Sequence, residues 1–99
     1  MKPLLNGFDK AFENRTRLAI MSVLMVNSSV DFNTLKEMLD VTDGNLASHI
    51  TALEKAGYVS VQKGFIGKKT NTTYAATQDG QKAFRNHLDS LENFIKNID

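Results

Sequence analysis

The sequence predicts a mainly α fold with one small β-hairpin, in the order helix, helix, short strand, helix, helix, two strands, long helix. Three observations carry that expectation. Apolar residues recur at spacings of three and four along most of the chain. The stretch after Gly57 switches to β-forming residues with polar ones interleaved. Asn14, Asn33, Thr42 and Thr77, residues suited to helix capping, stand in front of successive apolar runs. With 99 residues, 41% of them hydrophobic, the chain can bury one modest core without disulfides or metals, so residues 1–99 are read as a single domain.

Leu4 to Glu13 reads as a short helix. Asn14 then caps a second, in which Leu18, Met21, Leu24 and Met25 form a face widened by Ile20 and Val23; a helix so apolar belongs at the centre, its methionines serving as core filler. Asn27-Ser28-Ser29 is a turn and Val30-Asp31-Phe32 a short extended piece. Asn33 is the expected cap of a two-turn helix with Leu35, Met38 and Leu39 inward. Thr42 caps the next helix, over residues 43–57, with Asp43 in its first turn, where the macrodipole favours a carboxylate, Leu46, Ile50 and Leu53 as its buried stripe, and Gly57 as its stop. Residues 58–76 form the hairpin: strands at Tyr58 to Lys63 and Asn71 to Ala76, joined by the glycine-bounded loop Gly64 to Thr70. Thr77 caps a long helix over residues 78–98.

Composition excludes several classes of function. The chain contains no cysteine, which removes disulfides, thiolate metal sites and cysteine nucleophiles together and fits the cytoplasm. No apolar run approaches the roughly 20 residues of a membrane span, and the first residues lack the apolar core of a signal peptide. Net charge is only +1, but its distribution is uneven. Residues 1–54 hold five bases against seven acids, and residues 79–99 hold three against four. Between Lys55 and Gln78 stand Lys55, Lys63, Lys68 and Lys69 and no acid.

A helix pair joined by the tight turn Asp40-Val41-Thr42 is the arrangement in which one helix braces another across a DNA major groove. The stretch Val41 to Val59, together with Arg17-Leu18, the Gly67-Lys68-Lys69 tip and Tyr74-Ala75-Ala76-Thr77-Gln78-Asp79-Gly80, resembles MarR- and ArsR-like winged helix-turn-helix transcriptional regulators, in particular their compact members. The resemblance implies a sequence-specific repressor or activator of double-stranded DNA, with residues 43–57 as recognition helix and residues 58–76 as wing.

The residues define the faces independently. With Leu46, Ile50 and Leu53 inward, Gly44, Ser48, Thr51 and Lys55 fall on the opposite face, flanked by Asn45, Ala47 and Ala52. This small, polar surface suits base edges, with Asn45 matched to adenine and Ser48 and Thr51 to either base class; by spacing alone it also suits plain solvation. His49, beside the stripe, is a half-buried packing or phosphate-contacting residue. Lys63, Lys68 and Lys69 reach phosphates or the minor groove, or simply keep the tip solvated. Many relatives of this type carry arginine at the wing tip; lysine is a point charge to phosphate and reads a narrow groove less well.

Phe84, Leu88, Leu91, Ile95 and Ile98 recur at four, three, four and three, a heptad seam widened by Phe94. Such a seam either folds back on the N-terminal helix of its own chain or pairs with the same helix of a second copy; so small a chain has little else to cover it, and a homodimer is expected. An enzyme is the poorer reading: there are two histidines, no nucleotide-binding glycine motif, and no clustered metal ligands. His87 is expected on the exposed side of the last helix. No catalytic residue, metal or cofactor is assigned, and a small-molecule effector, if one exists, would have to sit at the dimer interface or beside the long helix. The rival reading is a winged-helix protein-interaction module that grips another regulator, because fold alone does not determine function.

Overall fold

The computed structural model describes residues 7–97. Its elements are α1 (Arg15–Met25), β1 (Val30–Asp31), α2 (Phe32–Leu39), α3 (Asp43–Lys55), β2 (Val59–Ile66), β3 (Lys69–Ala76) and α4 (Gln78–Lys96), with a 3-10 turn at Lys10–Phe12 before them. The strands form an antiparallel sheet in the order β1-β3-β2. This is the expected winged helix-turn-helix architecture.

The expected first helix is corrected within the described residues. Lys10–Phe12 is a single tight turn, started by the Asp9 carboxylate, which accepts from the Ala11 N–H at 2.9 Å. Its bonds run over three residues, Phe12 N to Asp9 O at 3.0 Å and Glu13 N to Lys10 O at 3.2 Å, and extended Asn14 then breaks the path. The Asn14 side chain accepts from Thr16 N and Arg17 N and starts α1 afresh. The part of that expected helix before Gly7 lies outside the described residues, as does Ile98.

Helix α1 is central as expected, burying Ile20, Met21 and Leu24 against α2, α3, α4 and β3. Leu35, Leu46 and Leu53 complete the fully buried floor of the core. Each such side chain contributes about 1.5–3 kcal/mol of transfer free energy. Two expectations for α2 fail. Its cap is Asp31, whose carboxylate accepts from Thr34 N at 3.1 Å and the Thr34 hydroxyl at 2.6 Å, while Phe32 and Asn33 already belong to the first turn. Strand pairing of Asp31 with Thr73 sets this start, because it holds Asp31 extended just where a cap is needed. Met38 stands on the rim, 58% exposed, because Phe32, Leu35 and Leu39 form the inner stripe of so short a helix.

Helix α4 is seated by its first turns. Thr77 accepts from Gly80 N at 2.9 Å, and its hydroxyl donates to Gly57 O at 2.6 Å. Gly80 is required here, since a Cβ would collide with the Tyr58 carbonyl. One turn on, Phe84 is only 5% exposed and meets Phe12 edge-on, with ring centroids 5.3 Å apart. His87, expected outside, is 9% exposed. It packs against Phe8 and Phe12, and its Nδ1 accepts from Asp9 N at 3.0 Å, which places the ring proton on Nε2. The N-terminal segment, folded over this side of α4, is what buries it. The same Asp9 accepts from the Tyr58 hydroxyl at 2.6 Å; that bond first, then burial and the neighbouring carboxylates, pushes the phenol up to about 12.

Candidate nucleic-acid interface

Asp40 ends α2 in the left-handed region, at φ +52°, a conformation that an aspartate tolerates better than a bulky residue. Val41 and Thr42 complete the tight turn, and Thr42 Oγ1 accepts from Asn45 N at 3.1 Å to start α3. Lys36 of α2 meets Asp43 in the first turn of α3 at 2.9 Å. Both side chains are well exposed, so the pair is a surface clamp worth at most about 1 kcal/mol.

Leu46, Ile50 and Leu53 are buried, and Gly44, Asn45, Ala47, Ser48, Thr51, Ala52 and Lys55 are exposed. The outer face is therefore free of large apolar side chains, and its exposed hydroxyls and amide are uncovered by the chain's own fold. His49 is half-buried at the edge of this face, its Nδ1 3.2 Å from an Arg17 guanidinium nitrogen. Arginine only donates, so Nδ1 is the acceptor and Nε2 carries the proton.

Arg17 was visible in the sequence only as part of a family likeness; its placement is a product of folding. Its Nε donates to Ala11 O at 2.7 Å and a terminal nitrogen to Lys10 O at 3.4 Å, so one side chain ties the N-terminal turn to α1 and to α3. The partners are 32 residues apart in the chain, and no local spacing signals the pair.

The strands of the hairpin run further, and its turn is tighter, than expected. β2 and β3 pair from Val59 with Ala76 to Ile66 with Lys69, so the expected Gly64 to Thr70 loop is mostly strand, closed by Gly67 and Lys68 alone. Gly67 has φ +63° and Lys68 does not, the pattern of a type II′ turn with glycine first, whose twist matches that of the strands. Lys63, Lys68 and Lys69 are all exposed on this ribbon. Phe65 and Ile66 are exposed beside them, which the expected loop concealed.

Of the residues expected at a dimer seam, Leu88, Leu91 and Ile95 are 45%, 43% and 61% exposed on one face of α4. Phe84 is spent in the core of its own chain, and Phe94 is half-buried against Phe8, with ring centroids 5.9 Å apart. Among the described residues no three histidine or carboxylate side chains are grouped to hold a metal ion, and no helix is long and apolar enough to cross a membrane.

A family model described as a winged helix DNA-binding domain matches residues 16–95. An uncharacterised protein of Methanocaldococcus jannaschii is 36% identical over 90 residues, covering 91% of this chain and 98% of that one. Among solved structures, a transcriptional regulator homologue from Pyrococcus horikoshii superposes with a TM-score of 0.82 at 34% identity, over 90% of this chain and 88% of that one. An ArsR family transcriptional regulator shares the fold at 20% identity, with a TM-score of 0.59 over 97% of this chain and 94% of that one. The likeness to MarR/ArsR-type regulators seen at Val41 to Val59 thus extends to the tertiary structure, and family and fold are those of transcriptional regulators, not of enzymes. A helix pair joined by a tight turn, a two-stranded hairpin and a family match over most of the sequence agree: the chain belongs to the winged helix DNA-binding domain family of transcriptional regulators.

Proposed function

We propose that this DNA-binding regulator acts as a homodimer, reading a pseudo-palindromic operator with α3 and holding phosphates with the wing. The observation that carries the reading is the contrast of two exposed surfaces: a small polar face on α3 and an apolar face, Leu88, Leu91 and Ile95, on α4. Asn45, Ser48 and Thr51 read base edges, His49 is held by Arg17 at the edge of that face, and Lys55, Lys63, Lys68 and Lys69 supply positive charge. The α4 face pairs with its copy across a two-fold axis, and the two recognition helices then address half-sites about 34 Å apart.

Selection of bound duplexes from a randomised library at near-physiological salt, with the oligomeric state followed by light scattering, tests the proposal. Enrichment of a pseudo-palindrome by a dimer is the expected result. Weak binding without enrichment would transfer the assignment to the protein-interaction module.

A further inference from the structure

We propose that the wing tip is a minor-groove wedge, with Phe65 as its apolar point and Lys63, Lys68 and Lys69 as its phosphate anchors. The inference rests on the reading of the chain as a duplex-DNA binder and states what the wing does to the duplex.

Phe65 and Ile66 are 75% and 69% exposed at the outer end of β2. β1 pairs with β3 only at Tyr74 and Thr73, so beyond the Gln62 and Thr73 pair the hairpin is a two-stranded ribbon. Side chains alternate along it. Ile66 lies on the face where it borders a cleft with Met38, Asn71 and Thr73, and Phe65 lies on the other, the face of Lys63. A benzyl ring left so open at the tip of a protruding ribbon contributes nothing to the core, and its surroundings indicate what covers it. Lys63 shares its face two residues back, Lys68 stands in the closing turn, and Lys69, paired with Ile66, lies on the opposite face, all within a segment from Lys55 to Gln78 that contains no acid. That is the complement of a polyanion, and an apolar protein surface has no use for it.

A DNA duplex offers the matching arrangement: two rails of phosphate with apolar sugar walls and stacked bases between them. Apolar wedges inserted at a base step unstack it partially and bend the duplex away from the minor groove. Pyrimidine–purine steps yield most easily, so such a wing reads deformability where lysine reads little. The closing turn helps, because Gly67 adds no side chain at the point of entry.

The test uses the full chain, Phe65→Ala, Phe65→Leu and the double variant Lys68→Ala/Lys69→Ala, with duplexes carrying a TA step and a fluorescent donor and acceptor at their ends. Wild type is expected to bend the duplex by roughly 20–90°. Phe65→Ala is expected to lose the bend and on the order of tenfold in affinity while keeping the salt dependence and the circular dichroism of wild type. Phe65→Leu, which keeps an apolar point, is expected to retain part of the bend. The lysine variant is expected to do the converse, losing about one unit of salt slope per lost phosphate contact. A wild type that binds without bending, or a Phe65→Ala protein that binds and bends as wild type does, overturns the wedge and leaves DNA binding standing. A wild type that binds no duplex at any salt overturns both.

Discussion

Helices α3 and α4 each bury three residues, yet they leave opposite kinds of surface behind. α3 spends Leu46, Ile50 and Leu53 on the core and turns amide, hydroxyl and methyl groups outward. α4 spends Gly80, Phe84 and His87 and leaves Leu88, Leu91 and Ile95 in water. An exposed apolar stripe on a long helix gains by pairing with its like, whereas a face without bulk gains nothing from apolar burial and loses little by meeting the polar edges of bases. In the proposed reading the two surfaces therefore do not compete for the same partner.

The largest effect expected from breaking this division is at Phe84. Replacement by alanine opens the core against Phe12 and is expected to cost about 3–5 kcal/mol of unfolding free energy, measured by denaturant titration. Leu88→Ala, one turn further along the same helix, should leave monomer stability nearly unchanged; equal losses at the two positions would show that the helix has only one kind of face. Next comes Leu91→Asp, which places a charge in the proposed seam. Light scattering should report a monomer, and operator affinity should fall by on the order of a hundredfold, because each half-site would then be bound alone.

On the α3 side, Asn45→Ala and Ser48→Ala are expected to change preference among operator sequences by about 1–3 kcal/mol per base contact. Uniform losses on all sequences would reduce this face to a phosphate contact. The smallest effect concerns the joint between the helices, where Tyr58 holds Asp9 and Asp9 holds His87. Because folding raises the phenol from 10.0 to about 12, its stabilisation is fully present below pH 10 and is lost as pH rises through the folded value. Tyr58→Phe should cost about 1 kcal/mol at neutral pH and flatten the alkaline part of a thermal-melting profile taken between those limits.

The local chemistry of starts and stops was legible in the sequence. Thr42 and Thr77 cap the helices they precede because capping needs only a side-chain oxygen and an extended backbone at one position. The stripe of Leu46, Ile50 and Leu53 follows from a period of 3.6, and the change from helix to hairpin at Gly57 from a loss of that period. The same local reasoning misplaced the cap of α2, because Asn33 and Asp31 are equally good caps and only the pairing of Asp31 with Thr73 chooses between them. It shortened the strands of the hairpin for a related reason: threonines and an alternating Phe65 read as loop until a two-residue turn brings the strands into register.

By itself, then, the sequence determined the order of elements from α1 onward, the inward stripe of α3 and the concentration of positive charge between Lys55 and Gln78, since each depends on neighbours within a few residues. Tertiary structure alone decided which side of α4 faces its own chain, burying Phe84 and His87 while leaving Leu88 and Leu91 out, and which side chain steadies His49. A helical period states how residues are grouped around an axis. How far the N-terminal segment wraps that axis, and so which group remains in water, depends on contacts between residues as distant as Asp9 and His87.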